Sequence, residues 1–206
     1  MRGKLLTIEG IDGAGKTTLA AGLLDVLTER GITAQLLREP GGAALSERLR
    51  EVVKDPALSV DPRAEALIYA AARAQLVNER LVPLLDAGTW VLLDRFVDSS
   101  LAYQGGGRAL GVEAIAQLNR FATAGLVPDR TLYLRIDPHV GRERQQVRAE
   151  VADRLELEGA AFFAAVARVY DALAAGEPER IRVIDAAQEP AAVLDDAVGA
   201  LADLLA

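Results

Sequence analysis

The stretch Gly10-Ile11-Asp12-Gly13-Ala14-Gly15-Lys16-Thr17 constrains this chain more than any other. It fits the pattern G-x-x-x-x-G-K-[ST], the phosphate-binding loop of nucleotide triphosphatases and kinases. An apolar, β-prone run at 4–9 precedes it, and residues 17–24 follow with apolar side chains at helical spacing. Strand, glycine turn and helix are the context that the motif requires. The glycines let the backbone turn its N–H groups inward, where they and the positive helix end meet phosphate oxygens. Gly10, Ile11, Asp12, Gly13, Ala14, Gly15, Lys16, Thr17 and Thr18 are therefore the expected nucleotide-binding residues, with Lys16 on the outer phosphates and Thr17 on Mg²⁺.

Further strand-like runs lie at 33–38, 89–94, 130–136 and 180–185, and helical spacing occupies 45–53, 62 to about 87, 112–124, about 160–175 and 190–205. Glu39-Pro40-Gly41-Gly42 reads as a turn able to hold a cis proline, and Gly105-Gly106-Gly107 as punctuation of a loop. Strands alternating with helices predict an α/β fold: a three-layer arrangement, with a five-stranded parallel sheet and helices on both faces. No linker or repeat divides the chain, so residues 1–206 are expected to form one domain, whose segment from Gly141 to Glu158 is rich in charge.

The bulk properties narrow the function classes. With 51% hydrophobic residues in 206, the chain can bury a substantial core. A net charge of −7 argues against a general nucleic-acid or anionic-membrane binder, while leaving room for a nucleotide site built on a local group of arginines. Without cysteine there are no disulfides, thiolate nucleophiles or thiolate metal sites. No apolar run approaches the ~18 residues of a membrane span. A strand-like start without a signal-peptide pattern leads us to expect a cytoplasmic protein.

The end of the third strand carries more chemistry. Asp94-Arg95 should emerge at the carboxyl edge of the sheet, where open α/β folds bind ligands. There a carboxylate can orient Mg²⁺ or its water, and a guanidinium can grip phosphate through two parallel hydrogen bonds. Tyr69 and Arg73, four apart on the long helix, share a face and suit either a base-stacking pair or a core tyrosine beside a solvated arginine. On spacing alone, residues 99–104 are only a polar loop. Glu9, at the end of the first strand, suits either the arrangement of Mg²⁺ waters or a structural role. His139 reads as a surface residue and Trp90 as core.

Taken in order, GIDGAGKT (10–17), REPGG (38–42), YAAAR (69–73), DRF (94–96), SSLAYQGGGR (99–108) and ADRLE (152–156) resemble the bacterial thymidylate kinases. The resemblance spans about residues 5–156 and implies the three-layer P-loop kinase fold, with a mobile arginine-rich lid at about 141–158. It implies transfer of the γ-phosphoryl group of ATP to thymidine monophosphate (dTMP), with ATP and Mg²⁺ as donor and cofactor and a homodimer as the assembly. Carried onto this chain, Asp12 faces the acceptor's sugar and phosphate. Arg50 and Arg95 hold the acceptor phosphate, in a pocket shaped by Glu39 and Pro40. Tyr69 stacks on thymine, Arg73 donates to its O4 edge, and Ser100 and Gln104 complete the base contacts. Tyr103 crowds the 2′ position and so favours deoxyribose.

Phosphoryl transfer also calls for positive charge on the moving group, and an arginine placed for this is worth about 10³–10⁵ in rate. The family supplies it from the phosphate loop or from a closing lid, and the loop here holds none. Arg148 is the first candidate and Arg144 the second, with Arg142 flanking the adenine or the phosphates. A solvated helix laced with Glu143, Glu150 and Asp153 is the plainer reading of the same stretch.

Two alternatives remain open at this point. A nucleoside kinase would need a general base for a hydroxyl and no arginines for an acceptor phosphate. A GTP- or ATP-driven switch usually carries an N-K-x-D string, which is not present.

Overall fold

In the computed structural model, which describes residues 2–146 and 154–205, five strands form one parallel sheet. They are β1 (Leu5–Glu9), β2 (Ala34–Arg38), β3 (Trp90–Asp94), β4 (Arg130–Arg135) and β5 (Ile181–Asp185), in the spatial order β2-β3-β1-β4-β5. In register, Leu5 to Ile8 of β1 face Val91 to Asp94 of β3, and Leu6 to Glu9 face Arg130 to Tyr133 of β4. Every residue of β1 is buried, as a central parallel strand covered on both faces requires.

Side chains alternate between the two faces with the period of a strand. Leu6, Ile8 and Leu92 enter one core with Leu19 and Leu23 of α1 (Lys16–Glu29) and Val193 of α9 (Pro190–Ala200). Leu5, Val91 and Leu93 enter the other, against Leu76, Leu81 and Leu85. Those last three come from one helical run: α3 (Pro62–Leu76), a π turn (Val77–Leu81) and α4 (Val82–Asp86). Pro62 stands in the first turn of α3, and the Asp61 carboxylate accepts from the Arg63 N–H at 2.9 Å. The π turn falls just before Pro83, which has no N–H to continue the regular ladder.

Two expectations need correction. The segment read as a polar loop ending in three glycines is helical: α5 (Val97–Ser100) runs into a π-helical stretch (Leu101–Gly107). Its glycines serve a close approach. A Cβ on Gly106 would stand 2.5 Å from Val169 and one on Gly107 2.5 Å from Phe162, both on α8 (Ala160–Gly176). The closing helix is also split, into α9 and α10 (Ala202–Leu205). The remaining elements are α2 (Ala44–Lys54), α6 (Val112–Ala122) and α7 (Pro138–Gln146). Among the described residues, no helix is long and apolar enough to cross a membrane.

Candidate active site

The loop from Gly10 to Gly15 joins β1 to α1, with positive φ at Gly10, Gly13 and Gly15. At Gly13 the need for glycine is also steric, because a Cβ there would lie 2.0 Å from the Gly141 carbonyl oxygen of α7. The start of the arginine-bearing helix thus rests backbone to backbone on the phosphate loop. Helix α1 has no acidic residue in its first turn and no side-chain cap, so its leading N–H groups remain for an anion. Lys16 is buried at that end and donates from Nζ to the Ile11 carbonyl at 2.9 Å, with Asp12 Oδ1 at 3.8 Å. Thr17 and Thr18 are exposed on the same turn.

Arg95 follows β3 in the left-handed region (φ 71°), a conformation that few non-glycine residues adopt. The bend returns its guanidinium over the loop. One terminal nitrogen donates to the Gly10 carbonyl at 2.9 Å and to Ser99 Oγ at 3.1 Å. The other donates to Asp12 Oδ1 at 2.5 Å and to the Tyr103 hydroxyl at 3.3 Å. Tyr103 in turn donates to Asp12 Oδ2 at 3.1 Å, and its ring lies 5.1 Å below the guanidinium. Asp12, Arg95 and Tyr103, brought from two loops and a helix, form one unit.

Glu9 lies beneath this unit. Its fully buried carboxylate accepts from the Phe96 N–H at 2.7 Å, from Ser99 Oγ at 2.5 Å and from the Tyr170 hydroxyl at 2.9 Å. Of its two readings, the structural one describes this position, since Glu9 fixes the backbone that turns at Arg95.

A cavity of about 460 Å³ opens over the carboxyl edge of the sheet. Asp12, Gly13, Gly15, Lys16 and Thr17 contribute to its wall from the phosphate loop, with Asp94 and Arg95 from the end of β3. Glu39, Pro40, Arg50, Tyr69, Ser100, Tyr103 and Gln104 contribute the remainder of the residues expected from the sequence. The Glu39–Pro40 peptide is cis, and the Pro40 carbonyl accepts from Arg50 at 2.8 Å. Most of the residues expected from the sequence are therefore gathered; Glu9, Arg73 and Arg144 do not line the cavity, and neither do four residues of the loop. Gly10, Ile11, Ala14 and Thr18 shape the loop without lining the cavity.

Two arginine assignments take a different form. Arg73 stands behind the wall, almost fully buried, with all its donors engaged. Nε donates to Glu39 at 2.7 Å, and one terminal nitrogen donates to Ser100 Oγ at 2.9 Å and to Asn119 Oδ1. The other donates to the Phe96 carbonyl at 2.9 Å and pairs with Glu39 at 2.6 Å. Direct donation to a base is not what this arrangement provides; Arg73 meets the cavity through Ser100 and Glu39. Arg144 donates to the Ala186 carbonyl beyond β5 at 2.8 Å, whereas Arg142 lines the cavity. Arg148 lies outside the described residues.

Electrostatics follow from this packing. Burial would raise the Asp12 carboxyl, but the Arg95 guanidinium and the Lys16 ammonium hold it well below the usual carboxylate range. Burial, together with Arg95, brings Lys16 down to about 8, against the pull of Asp12 and Asp94. Burial pushes Glu39 up to about 7, and the Arg73 pairing opposes this only in part. Glu39 also keeps one buried carboxylate oxygen without a partner.

Asp94 has the feature by which a cation site can be tested, a buried Oδ1 without a hydrogen-bond partner at the cavity wall. With the Thr17 hydroxyl also in the wall, the donor set is all oxygen, as Mg²⁺ prefers. Among the described residues no three acidic or histidine side chains form a cage. Mg²⁺ bound mainly through phosphates and one or two carboxylates needs none.

Sequence reasoning missed several members. Arg38, Lys54, Ser99 and Gln145 also line the cavity, and Glu65 and Asn119 hold its wall from behind. Arg38 stands in the REPGG string and was within reach. Nothing in the local sequence marks Glu65 as buried.

Glycine loop, buried lysine, an unpartnered carboxylate oxygen and an arginine-bearing pocket at a parallel sheet's carboxyl edge together define a P-loop kinase. The family model described as thymidylate kinase matches residues 8–197. The chain is 46% identical to a thymidylate kinase of Halorhodospira halophila over 206 residues, which is 99% of this chain and 96% of the relative. One from Latilactobacillus sakei is 46% identical, covering 98% and 96%, and one from Bacillus licheniformis 44% identical, covering 94% and 92%. This chain belongs to the thymidylate kinase family.

Proposed function

We infer that the chain phosphorylates thymidine monophosphate to thymidine diphosphate at the expense of ATP. The observation that carries this reading is one cavity with two halves. A triphosphate cradle around Lys16 faces the same space as two arginines, Arg50 and Arg95, and a slot lined by Tyr69, Ser100 and Gln104. A nucleoside acceptor would need no such pair of arginines.

In this reading the α1 N-terminus, Lys16 and the loop backbone hold the ATP phosphates. Arg50 and Arg95 grip the acceptor phosphate, and Asp12, fixed by Arg95 and Tyr103, meets the sugar. Tyr69 stacks on the pyrimidine, while Tyr103 fills the space that a 2′-hydroxyl would take. An acceptor phosphate oxygen attacks the γ-phosphorus, the bond to the bridging oxygen breaks, and ADP leaves with the electron pair. The acceptor oxygen is already a nucleophile, so positioning and charge stabilisation do the work. Mg²⁺, held by Asp94 and Thr17, would neutralise charge on the transferring phosphates. A lid at about 141–158, with Arg148 as donor, completes the charge stabilisation.

The assembly and setting follow from the same reading. Helices α3 and α6 pack together, and each leaves a large apolar side chain exposed, Leu67 and Phe121, which supports a homodimer through this face. Both substrates are intracellular metabolites, so the reaction belongs to the cytoplasm. The whole chain acts as one catalytic domain.

An acceptor panel tests the proposal. With ATP and Mg²⁺, ADP release should depend strongly on dTMP and only weakly on the other nucleoside monophosphates. Slow hydrolysis independent of any acceptor would replace this reading with a nucleotide-driven switch.

A further inference from the structure

Behind the cavity lies a buried carboxylate that the proposed chemistry does not use. Glu65 of α3 is fully buried and gathers three donors. Gln104 donates to it from Nε2 at 2.8 Å, Arg108 from Nε at 3.1 Å and Arg154 from a terminal nitrogen at 2.6 Å. Arg154 is fastened in turn, because its Nε donates to the Val53 carbonyl of α2 at 3.2 Å. A carboxylate held between two guanidiniums accepts hydrogen bonds and has none to give.

This fixes which way the Gln104 amide points. Its NH₂ must face Glu65, so its carbonyl oxygen is what it offers to the cavity that it lines. One turn earlier on the same helical stretch, Ser100 is set in the opposite sense. Its oxygen accepts from Arg73, a side chain with no acceptor of its own, which leaves the Ser100 O–H free to donate. Arg73 cannot swing away easily, since Glu39, Asn119 and the Phe96 carbonyl hold its other donors.

We propose that Glu65 is the positioning residue for pyrimidine discrimination: by locking the Gln104 amide, it makes the slot read an acceptor beside a ring N–H. Ser100 as donor and Gln104 as acceptor match the O4 and N3–H of thymine. Cytosine presents the reverse pattern, an amino donor beside an unprotonated ring nitrogen, and meets donor against donor and acceptor against acceptor. The reading rests on the acceptor being a pyrimidine monophosphate.

The test compares kcat/KM for dTMP and for deoxycytidine monophosphate in the wild type, Glu65→Gln, Gln104→Leu and the double variant. An amide at position 65 can donate as well as accept, so Gln104 is free to turn over. The thymidine-to-deoxycytidine ratio should then fall by roughly tenfold or more, mainly through KM. Gln104→Leu should lower the ratio as well, and adding Glu65→Gln to it should change the ratio no further. A ratio within about twofold of wild type in a folded Glu65→Gln variant would overturn the proposal. So would an unchanged ratio in Gln104→Leu, which decides the matter even if Glu65→Gln does not fold. A wild type inactive on dTMP would remove the acceptor reading itself, an outcome distinct from an active, selective enzyme whose selectivity ignores residue 65.

Discussion

Arg95 and Asp12 stand 2.5 Å apart across the gap between the end of β3 and the phosphate loop, so the donor and acceptor halves of the cavity share one ion pair. The same guanidinium reaches Gly10, Ser99 and Tyr103. Lysine would keep the charge and lose this fork of donors. Arg95→Lys is expected to reduce kcat/KM for dTMP by about a hundredfold while leaving the affinity for ATP within a few fold. Steady-state kinetics in both substrates checks this. Equal losses for ATP and acceptor would mean that the pair serves the loop as a whole.

Lys16 carries a pH signature. Its pKa, brought down to about 8, predicts an alkaline limb near that pH in kcat/KM for ATP, as the ammonium needed on the outer phosphates is lost. The stability effect has the opposite sign. Below about 8 the lysine is protonated in both folded and unfolded chains; between about 8 and its ordinary value of 10.5 only the unfolded chain keeps the proton. The unfolded state then binds more protons, so folding stability rises with pH through that window. Lys16→Ala should abolish turnover, leave the fold intact and remove the rise, as denaturant titrations at several pH values would report.

Arg144 and Arg148 separate by kinetics. Arg148→Ala should cut kcat by about 10³-fold or more with little change in KM for the acceptor, as expected of a group that meets charge only in the transition state. Arg144, bonded to the Ala186 carbonyl, should act mainly on ATP binding when replaced by alanine. If Arg144→Ala shows the kcat effect instead, the transferred phosphate is met by Arg144.

Glu39 provides a separate stability test. Its carboxyl is pushed by burial from 4.5 to about 7, so between those values the folded chain binds more protons than the unfolded one. Stability contributed by this group is complete below 4.5, declines as pH rises to about 7 and is flat above. The full decline is about 3 kcal/mol. Glu39→Gln should lose that slope. The difference in unfolding free energy between wild type and variant, followed from pH 4.5 to 8, measures it.

The framework was readable because its signals are local. The central strands β1 and β3 are short apolar runs, and the phosphate loop has a fixed spacing between a strand and a helix. The stretch 101–107 misled because three consecutive glycines mark a turn in isolation, whereas here they admit Phe162 and Val169 of a helix distant in sequence. The pocket's second rank was hidden for the same reason. Arg73 and Glu39 are 34 residues apart, and Glu65 and Arg154 are 89 apart. No periodicity reveals that such charges neutralise one another in the interior. Arg73 was named for the right neighbourhood and the wrong rank, because spacing gives the face of a helix and not the depth of a side chain.

The left-handed backbone at Arg95 bears on how this enzyme would respond to selection. Glycine would relax that turn by about 1–3 kcal/mol but would strand the Asp12 carboxylate without its guanidinium, a loss of about 3–5 kcal/mol, so a screen rewarding heat tolerance alone would keep the arginine. Hardened variants drawn from such a screen should therefore retain this codon, and with it the strained turn, so a loss of activity among them has its origin elsewhere.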